Sequence, residues 1–124
     1  MRLTVHHNPP RSSELERDLT KLYHTLPADL DQHHWFVATF NDRHIAALRL
    51  DGEKLGRLAV RIETWRRGVG SYLLSEAEKA ARELGLMRLF LVAAEYPEEN
   101  REGLGAFLET RGYERTPDGW QKTL

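Results

Sequence analysis

The polar and apolar positions change period several times along the chain, and each change marks an element. Residues 2–6 alternate, with Leu3 and Val5 on one face, which predicts a short first strand broken by Pro9 and Pro10. Ser13-Glu14-Leu15-Glu16 has capping-box spacing, and Leu15, Leu19, Leu22, Tyr23 and Leu26 then form one helical stripe that Pro27 closes. Residues 28–34 are polar and read as a loop or one helical turn. Residues 35–40 and 44–50 read as two strands joined at Asn41-Asp42-Arg43, and Asn and Asp tolerate the positive φ of a tight hairpin. Asp51-Gly52 makes the next turn, and residues 55–62 form the third strand of a meander.

After that strand the period becomes helical. Leu58, Val60 and Ile62 alternate, residues 65–70 make a basic loop with two glycines, and Leu73, Leu74, Ala77, Ala80, Ala81 and Leu84 share a helix face that ends at Gly85. Residues 87–94 are almost continuously apolar, the pattern of a central strand buried on both faces. A charged loop, residues 95–102, contains Pro97. A helix over 101–111 follows, with Leu104, Phe107 and Leu108 inward and Gly112 at its C′ position. Residues 113–115 and 120–123 suit a closing hairpin with Asp118-Gly119 in the turn. The predicted order is β-α-β-β-β-α-β-α-β-β.

Strand, glycine turn, helix is a physical device for holding a phosphate. The first turn of a helix has amides without intrahelical partners and a partial positive charge. Glycines admit the backbone close to an anion, and Arg66 and Arg67 add fixed charge beside those amides. A Walker loop would need Gly-Lys-Ser/Thr, which is absent. A dinucleotide fingerprint would need a third glycine where Leu73 stands and an acidic residue where Phe90 and Leu91 lie.

Length and composition narrow the setting. A chain of 124 residues allows one domain with a modest core. A net charge of −1 gives no basic field for nucleic acid. Without cysteine there is no disulfide, thiolate metal site or cysteine nucleophile. The adjacent pairs His6-His7 and His33-His34 lack the helical spacing of a zinc site, so no metal is expected. No apolar run reaches membrane-spanning length and no signal peptide is read before the first strand, so the expected location is the cytoplasm.

Leu58, Val60, Gly68 and Gly70 stand at the spacing of the acetyl-CoA loop of the GCN5-related N-acetyltransferases, the GNAT superfamily, which this chain resembles over nearly its whole length. Ile62 stands where that loop commonly has proline, and Trp65 where it has Arg or Gln. The resemblance implies a single α/β (α+β) domain over residues 1–124, with a central, mostly antiparallel mixed sheet whose central strands splay apart, flanked by helices. It implies acetyl-CoA (or CoA) on Leu58, Ala59, Val60, Arg66, Arg67, Gly68, Val69, Gly70 and Ser71. The pyrophosphate would rest on the amides of residues 67–71 and the pantetheine along residues 58–60, with the Val60 amide toward the thioester. The family's tyrosine acid falls on Leu108, which cannot donate a proton, and its helix asparagine falls on Arg101. Glu63 stands where many members have a glutamate and is the one weak catalytic candidate, as a base through water or simply as a solvated residue at the loop entry. Tyr72 and Tyr96 are substitute acids that helix packing and loop exposure explain equally well.

Four segments resemble one branch, the PanZ/PanM maturation factors of aspartate α-decarboxylase. They are Met1-Arg2-Leu3-Thr4, the hairpin from Phe40-Asn41-Asp42-Arg43 to Arg49, the loop from Arg66 to Leu74, and the ending Gly119-Trp120-Gln121-Lys122. Trp65 stands at a position that is basic in the branch. The branch implies an acetyl-CoA-dependent partner of the decarboxylase zymogen that promotes its self-cleavage to the pyruvoyl form and regulates it in pantothenate and CoA synthesis. Asn41 would then contact the cleavage site, or serve only to permit the turn. The alternative is a small N-acetyltransferase with an unidentified amine acceptor.

Overall fold

The computed structural model, which describes residues 3–61 and 67–124, folds the alternating segments into one mixed sheet. In chain order the elements are β1 (Leu3–His7), α1 (Ser13–Tyr23), β2 (His34–Phe40), β3 (Arg43–Asp51), β4 (Lys54–Val60), α2 (Val69–Glu83), β5 (Arg88–Val92), α3 (Glu98–Glu109), β6 (Glu114–Arg115) and β7 (Gly119–Thr123). The predicted order is the observed one. The strands lie in the order β1-β2-β3-β4-β5-β7-β6, and among them only β4 and β5 run parallel.

Period-2 alternation gives the sheet two apolar faces. Phe36, Ala38, Leu48, Leu50, Leu55, Leu89, Leu91 and Trp120 pack under Leu73, Leu74, Ala77 and Ala81 of α2 and Leu108 of α3. On the other face Trp35, Val37 and Ala47 lie under Leu15 and Leu19 of α1. The cap of α1 is Ser12, one residue before the predicted box: its side chain accepts from the Leu15 amide, and Ser13 is already the first helical residue. The hairpin between β2 and β3 turns on Asn41 (φ 53) and Asp42 (φ 63), the left-handed pair of a two-residue turn.

Four boundaries differ from the sequence reading, each for a physical reason. First, α1 stops at Tyr23, because His24 turns left-handed (φ 65), so Leu26 packs on the α1 cluster from a loop instead of a helix. Second, β5 is buried on one face only. Leu89 and Leu91 are core, but Phe90 and Val92 are half-exposed and Met87 is 76% exposed, because α1 covers β2–β4 and leaves this part of the sheet open. Ala93 and Ala94 belong to a single 3-10 turn, Ala93–Glu95. Third, α3 begins at Glu98. Pro97 presets the entry, and Glu98 and Glu99 favour the positive helix start. It ends at Glu109 with Thr110 as cap, and Gly112 (φ 91) makes a later turn. Fourth, Gly119 is the buried first residue of β7, paired with Val92, and a Cβ there would run into the Leu91 carbonyl. Arg2 and Ile62, the ends of two predicted strands, lie outside the described residues.

Two polar clusters fasten the helices. Glu78 of α2 is buried, accepting from the Tyr113 hydroxyl (2.8 Å) and the Lys122 ammonium (3.1 Å), which also donates to the Arg111 carbonyl (2.9 Å). Burial, and then the Glu78 carboxylate, push the Tyr113 hydroxyl up, so it stays a donor. Asp18 of α1 is buried too. It accepts from the His44 amide (3.2 Å) and ring Nδ1 (2.7 Å), tying α1 to the hairpin. Burial raises the Asp18 carboxyl, but its bonds from the His44 ring and amide outweigh that and hold it below the usual carboxylate range.

Gly119→Ala should destabilise the fold by about 3 kcal/mol, the upper end of overpacking costs, seen as a lower urea midpoint at unchanged slope. The Asp18 clamp has a definite pH sign. A lowered folded-state pKa stabilises above the unfolded value near 3.9, and that contribution is lost as pH falls through the folded value. Asp18→Asn should therefore cost about 1–2 kcal/mol at pH 7. Its deficit against the unmodified chain should shrink below about pH 4 in unfolding curves taken across pH.

Candidate functional site

In β4 two residues, Arg57 and Leu58, stand opposite the single residue Leu48 of β3. Arg57 is left-handed (φ 58), so this is a bulge that bends the strand. The Tyr23 hydroxyl donates to the Arg57 carbonyl (2.5 Å), and the Arg57 guanidinium lies over the Tyr23 ring. By the bulge β4 has already left β5. The two strands pair only at Lys54 and Phe90, with the Phe90 amide also bonded to the Glu53 carbonyl (3.0 Å). The Arg61 amide donates to the Ile45 carbonyl (2.8 Å), toward β3, so alternation turns the amides of Leu58 and Val60 toward the opening. Ala59 and Val60 pair with Ala47 and Ala46 on the β3 side. Leu58, Ala59 and Val60 thus line one edge of a splay between the parallel strands β4 and β5.

At the end of that edge lies the start of α2. Gly68 (φ 78) is its N-cap, with no side-chain cap bond, and no acidic residue stands in the first turn. By contrast α1 carries Glu14 and Glu16 there, and α3 carries Glu98 and Glu99. A Cβ on Gly68 would meet nothing within 4 Å, so its outer side is open. Val69 is buried and anchors the turn, and Arg67 is exposed. A Cβ on Gly70 would meet the Phe107 ring at 3.4 Å and Val60 Cγ2 at 3.6 Å, so glycine keeps this surface low against both elements. The structure brings Leu58, Ala59, Val60, Arg67, Gly68, Val69, Gly70 and Ser71 to one strand edge and one helix start. Arg66, Trp65 and Glu63 lie outside the described residues.

The other candidates divide. Leu108 is fully buried in the core. Tyr72 is 40% exposed on α2. Arg101 turns inward on α3 to donate to the Tyr96 carbonyl (3.0 Å). Tyr96 is at the splay, with its hydroxyl 3.5 Å from the Leu58 amide. Burial pushes it up to about 12, only partly offset by that amide, so it is neutral. Asn41 is exposed at the hairpin tip, and among the described residues its side-chain amide has no hydrogen-bond partner. The His7 ring is 2.8 Å from His34, His6 bonds Thr39, and His33 sits between Asp29 and Asp51.

Two features escaped the sequence reading. Phe107 reads as core but packs at the α2 start, and Arg111 reads as a helix-end residue but bonds Ser71 Oγ (3.1 Å). Both are contacts between α3 and α2, which no local pattern reports. A groove of about 620 Å³ lies elsewhere, on the open face of β5 and β7 among Arg88, Phe90, Val92, Arg101, Pro117 and Gln121. Its position follows from the missing helix cover there and not from the strand edge or the α2 start.

The profile of the acetyltransferase (GNAT) domain, PanZ, matches residues 3–121. A relative from Escherichia coli K12, described as a PanD regulatory factor, is 34% identical over 98% of this chain and 99% of its own. The solution structure of an E. coli protein, described as the putative N-acetyltransferase YhhK bound to coenzyme A, superposes with a TM-score of 0.83 at 33% identity, covering 100% of both chains. A GNAT-family acetyltransferase of Elizabethkingia anophelis, solved with acetyl-CoA, matches in fold with a TM-score of 0.74 at 14% identity, over 98% of both chains. The fold is the expected GNAT fold, with its splay between β4 and β5.

Proposed function

Because the chain belongs to the family of PanZ acetyltransferase (GNAT) domains, we propose that it is an acetyl-CoA-binding regulatory protein that docks on the aspartate α-decarboxylase zymogen and promotes its self-cleavage to the pyruvoyl form. The description of its relative as a PanD regulatory factor agrees with a regulatory role. The residues fit the cofactor. The acid-free start of α2, with Gly68 as its cap, suits the pyrophosphate, and the edge at residues 58–60 that faces away from β3 suits the pantetheine. Bound acetyl-CoA supplies the charged pyrophosphate, an amide-bearing arm and the acetyl thioester that distinguishes it from CoA. Leu108, wholly in the core, offers no proton, which supports regulation over acetyl transfer.

The observation that carries the reading is one of placement. Val60 pairs with Ala46, and the Arg61 amide bonds the Ile45 carbonyl, so the cofactor edge ends beside the base of the β2–β3 hairpin. From Ala46 to Asn41 is five residues of strand and turn, on the order of 15 Å. The hairpin tip and the α2 start therefore share one end of the sheet, where a partner can meet both.

Gly70→Asp would press a carboxylate into the Phe107–Val60 contact and put a negative charge at the anion site. Acetyl-CoA affinity by calorimetry should fall about a hundredfold, the effect of roughly 3 kcal/mol; unchanged affinity removes the cofactor assignment. Asn41→Gly separates turn from contact. Glycine accepts the same left-handed angle, so the melting temperature should hold. The rate of zymogen cleavage at saturating acetyl-CoA should drop by about three- to tenfold, as for a lost neutral hydrogen bond. Equal rates would return Asn41 to the turn alone, and failure of the unmodified protein to bind the zymogen would sink the partner assignment.

A further inference from the structure

Arg111 leaves the end of α3 and reaches across to α2. Its Nε donates to Ser71 Oγ (3.1 Å), and its Nη1 donates to the Phe107 carbonyl (2.7 Å) and Thr110 Oγ1 (2.9 Å). The guanidinium lies 3.8 Å from the centroid of the Phe107 ring. That same ring is the first atom group a Cβ on Gly70 would meet. Guanidinium, ring and the Gly70-Ser71 backbone are therefore neighbours in one layer.

Part of this is ordinary helix capping. A cation near a helix C-terminus bonds the last carbonyls and favours the dipole, which accounts for Nη1. It does not account for Nε, which is fixed on the next helix. It also leaves the charge without a counter-ion. Among the described residues no carboxylate pairs with Arg111, and its Nη2 has no hydrogen bond, although the side chain is half-buried. The nearest helix start, that of α2, is itself positive and has no acidic residue in its first turn. The positive α2 end repels this partly desolvated guanidinium, offsetting part of what the α3 end and the Phe107 ring contribute, and an anion between the two turns that repulsion into attraction to both.

Resting on the cofactor reading above, we infer that Arg111 is a phosphate-contacting residue for the cofactor, with Ser71 and Phe107 as the residues that position it. The phosphate is either the pyrophosphate or the 3′-phosphate of the adenosine. Both are dianionic or monoanionic oxygen clusters that a guanidinium edge fits.

Calorimetry with CoA and with 3′-dephospho-CoA tests this on the unmodified chain, Arg111→Met and Arg111→Lys. Methionine keeps an apolar stem over Phe107 without the charge, and lysine keeps the charge. CoA binding should weaken about tenfold in Arg111→Met and recover most of its strength in Arg111→Lys. Its dependence on salt should become shallower in Arg111→Met alone, a readout that helix capping does not move. Equal losses for the two ligands place the contact on the pyrophosphate, and a loss confined to CoA places it on the 3′-phosphate; either supports the inference. Unchanged CoA affinity in Arg111→Met, whatever its melting temperature, overturns the inference and leaves Arg111 as a helix cap. No CoA binding by the unmodified chain overturns the cofactor reading and this inference together, so the two failures are distinguishable.

Discussion

Between Gly56 and Ala59 the fourth strand carries one residue more than its neighbour, and the left-handed Arg57 absorbs it. A bulge of this kind increases twist and bends its strand. Here the bend lies just past the single position at which β4 pairs with β5, so no parallel ladder continues along Leu58 to Val60. An L-residue with a side chain in the left-handed region is costly, so something must hold it there. The Tyr23 hydroxyl on the Arg57 carbonyl, and the Arg57 guanidinium over the Tyr23 ring, provide that hold from α1. The site follows from this geometry. A strand edge that turns away from its parallel neighbour has the geometry on which, under the proposed function, a linear ligand with its own amides would lie, in the way a sheet edge accepts an added strand.

The opening survives because the far side is locked independently. β5 is paired over its whole length with β7, and the close approach at Gly119 brings the two backbones together. Trp120 then enters the core, and Lys122 reaches the buried Glu78 of α2. A buried ion pair alone is weak grounds for stability, because desolvation offsets the attraction. This one is shared with the Tyr113 hydroxyl and the Arg111 carbonyl, so its groups are satisfied and its value is positional. It sets α2, the end of α3 and β7 in one register. The Gly-Trp-x-Lys ending thus has a structural role at each of its three named positions.

Much of this was legible along the chain. The element order, the hairpin turn, the acid-free glycine start of α2 and the core position of Leu108 all follow from local period and residue type, with the GNAT resemblance adding the splay. What could not be read was set by neighbours distant in sequence. The end of α1 at Tyr23 depends on a left-handed turn at His24, which no helical stripe records. The half-open face of β5 depends on how far α1 extends across the sheet, not on the apolarity of residues 87–94. Gly119 looks like turn chemistry beside Asp118, yet its glycine is required by the carbonyl of Leu91. Arg111 is the same lesson at the site, since its partner Ser71 is 40 residues away.

The placement of the hairpin gives a physical route from ligand to partner. β3 is the strand they share. It pairs with the cofactor edge at Val60 and carries the hairpin on its other end, with Ile45 as the extra residue opposite the Ala38–Thr39 step of β2. Ile45 uses its carbonyl to hold the Arg61 amide, so the chain leaving β4 toward the α2 start is tied to the hairpin base by backbone and not by a mobile side chain. On the opposite face Asp18 bonds the His44 amide and ring, a second tie between the hairpin base and the body of the fold. A ligand alters partner affinity only by contacting the two states differently. In this architecture it need not drive a large movement. On the proposed function, a ligand in the splay would lie one strand away from the tip that carries Asn41, so a partner at that end of the sheet would meet protein and ligand together.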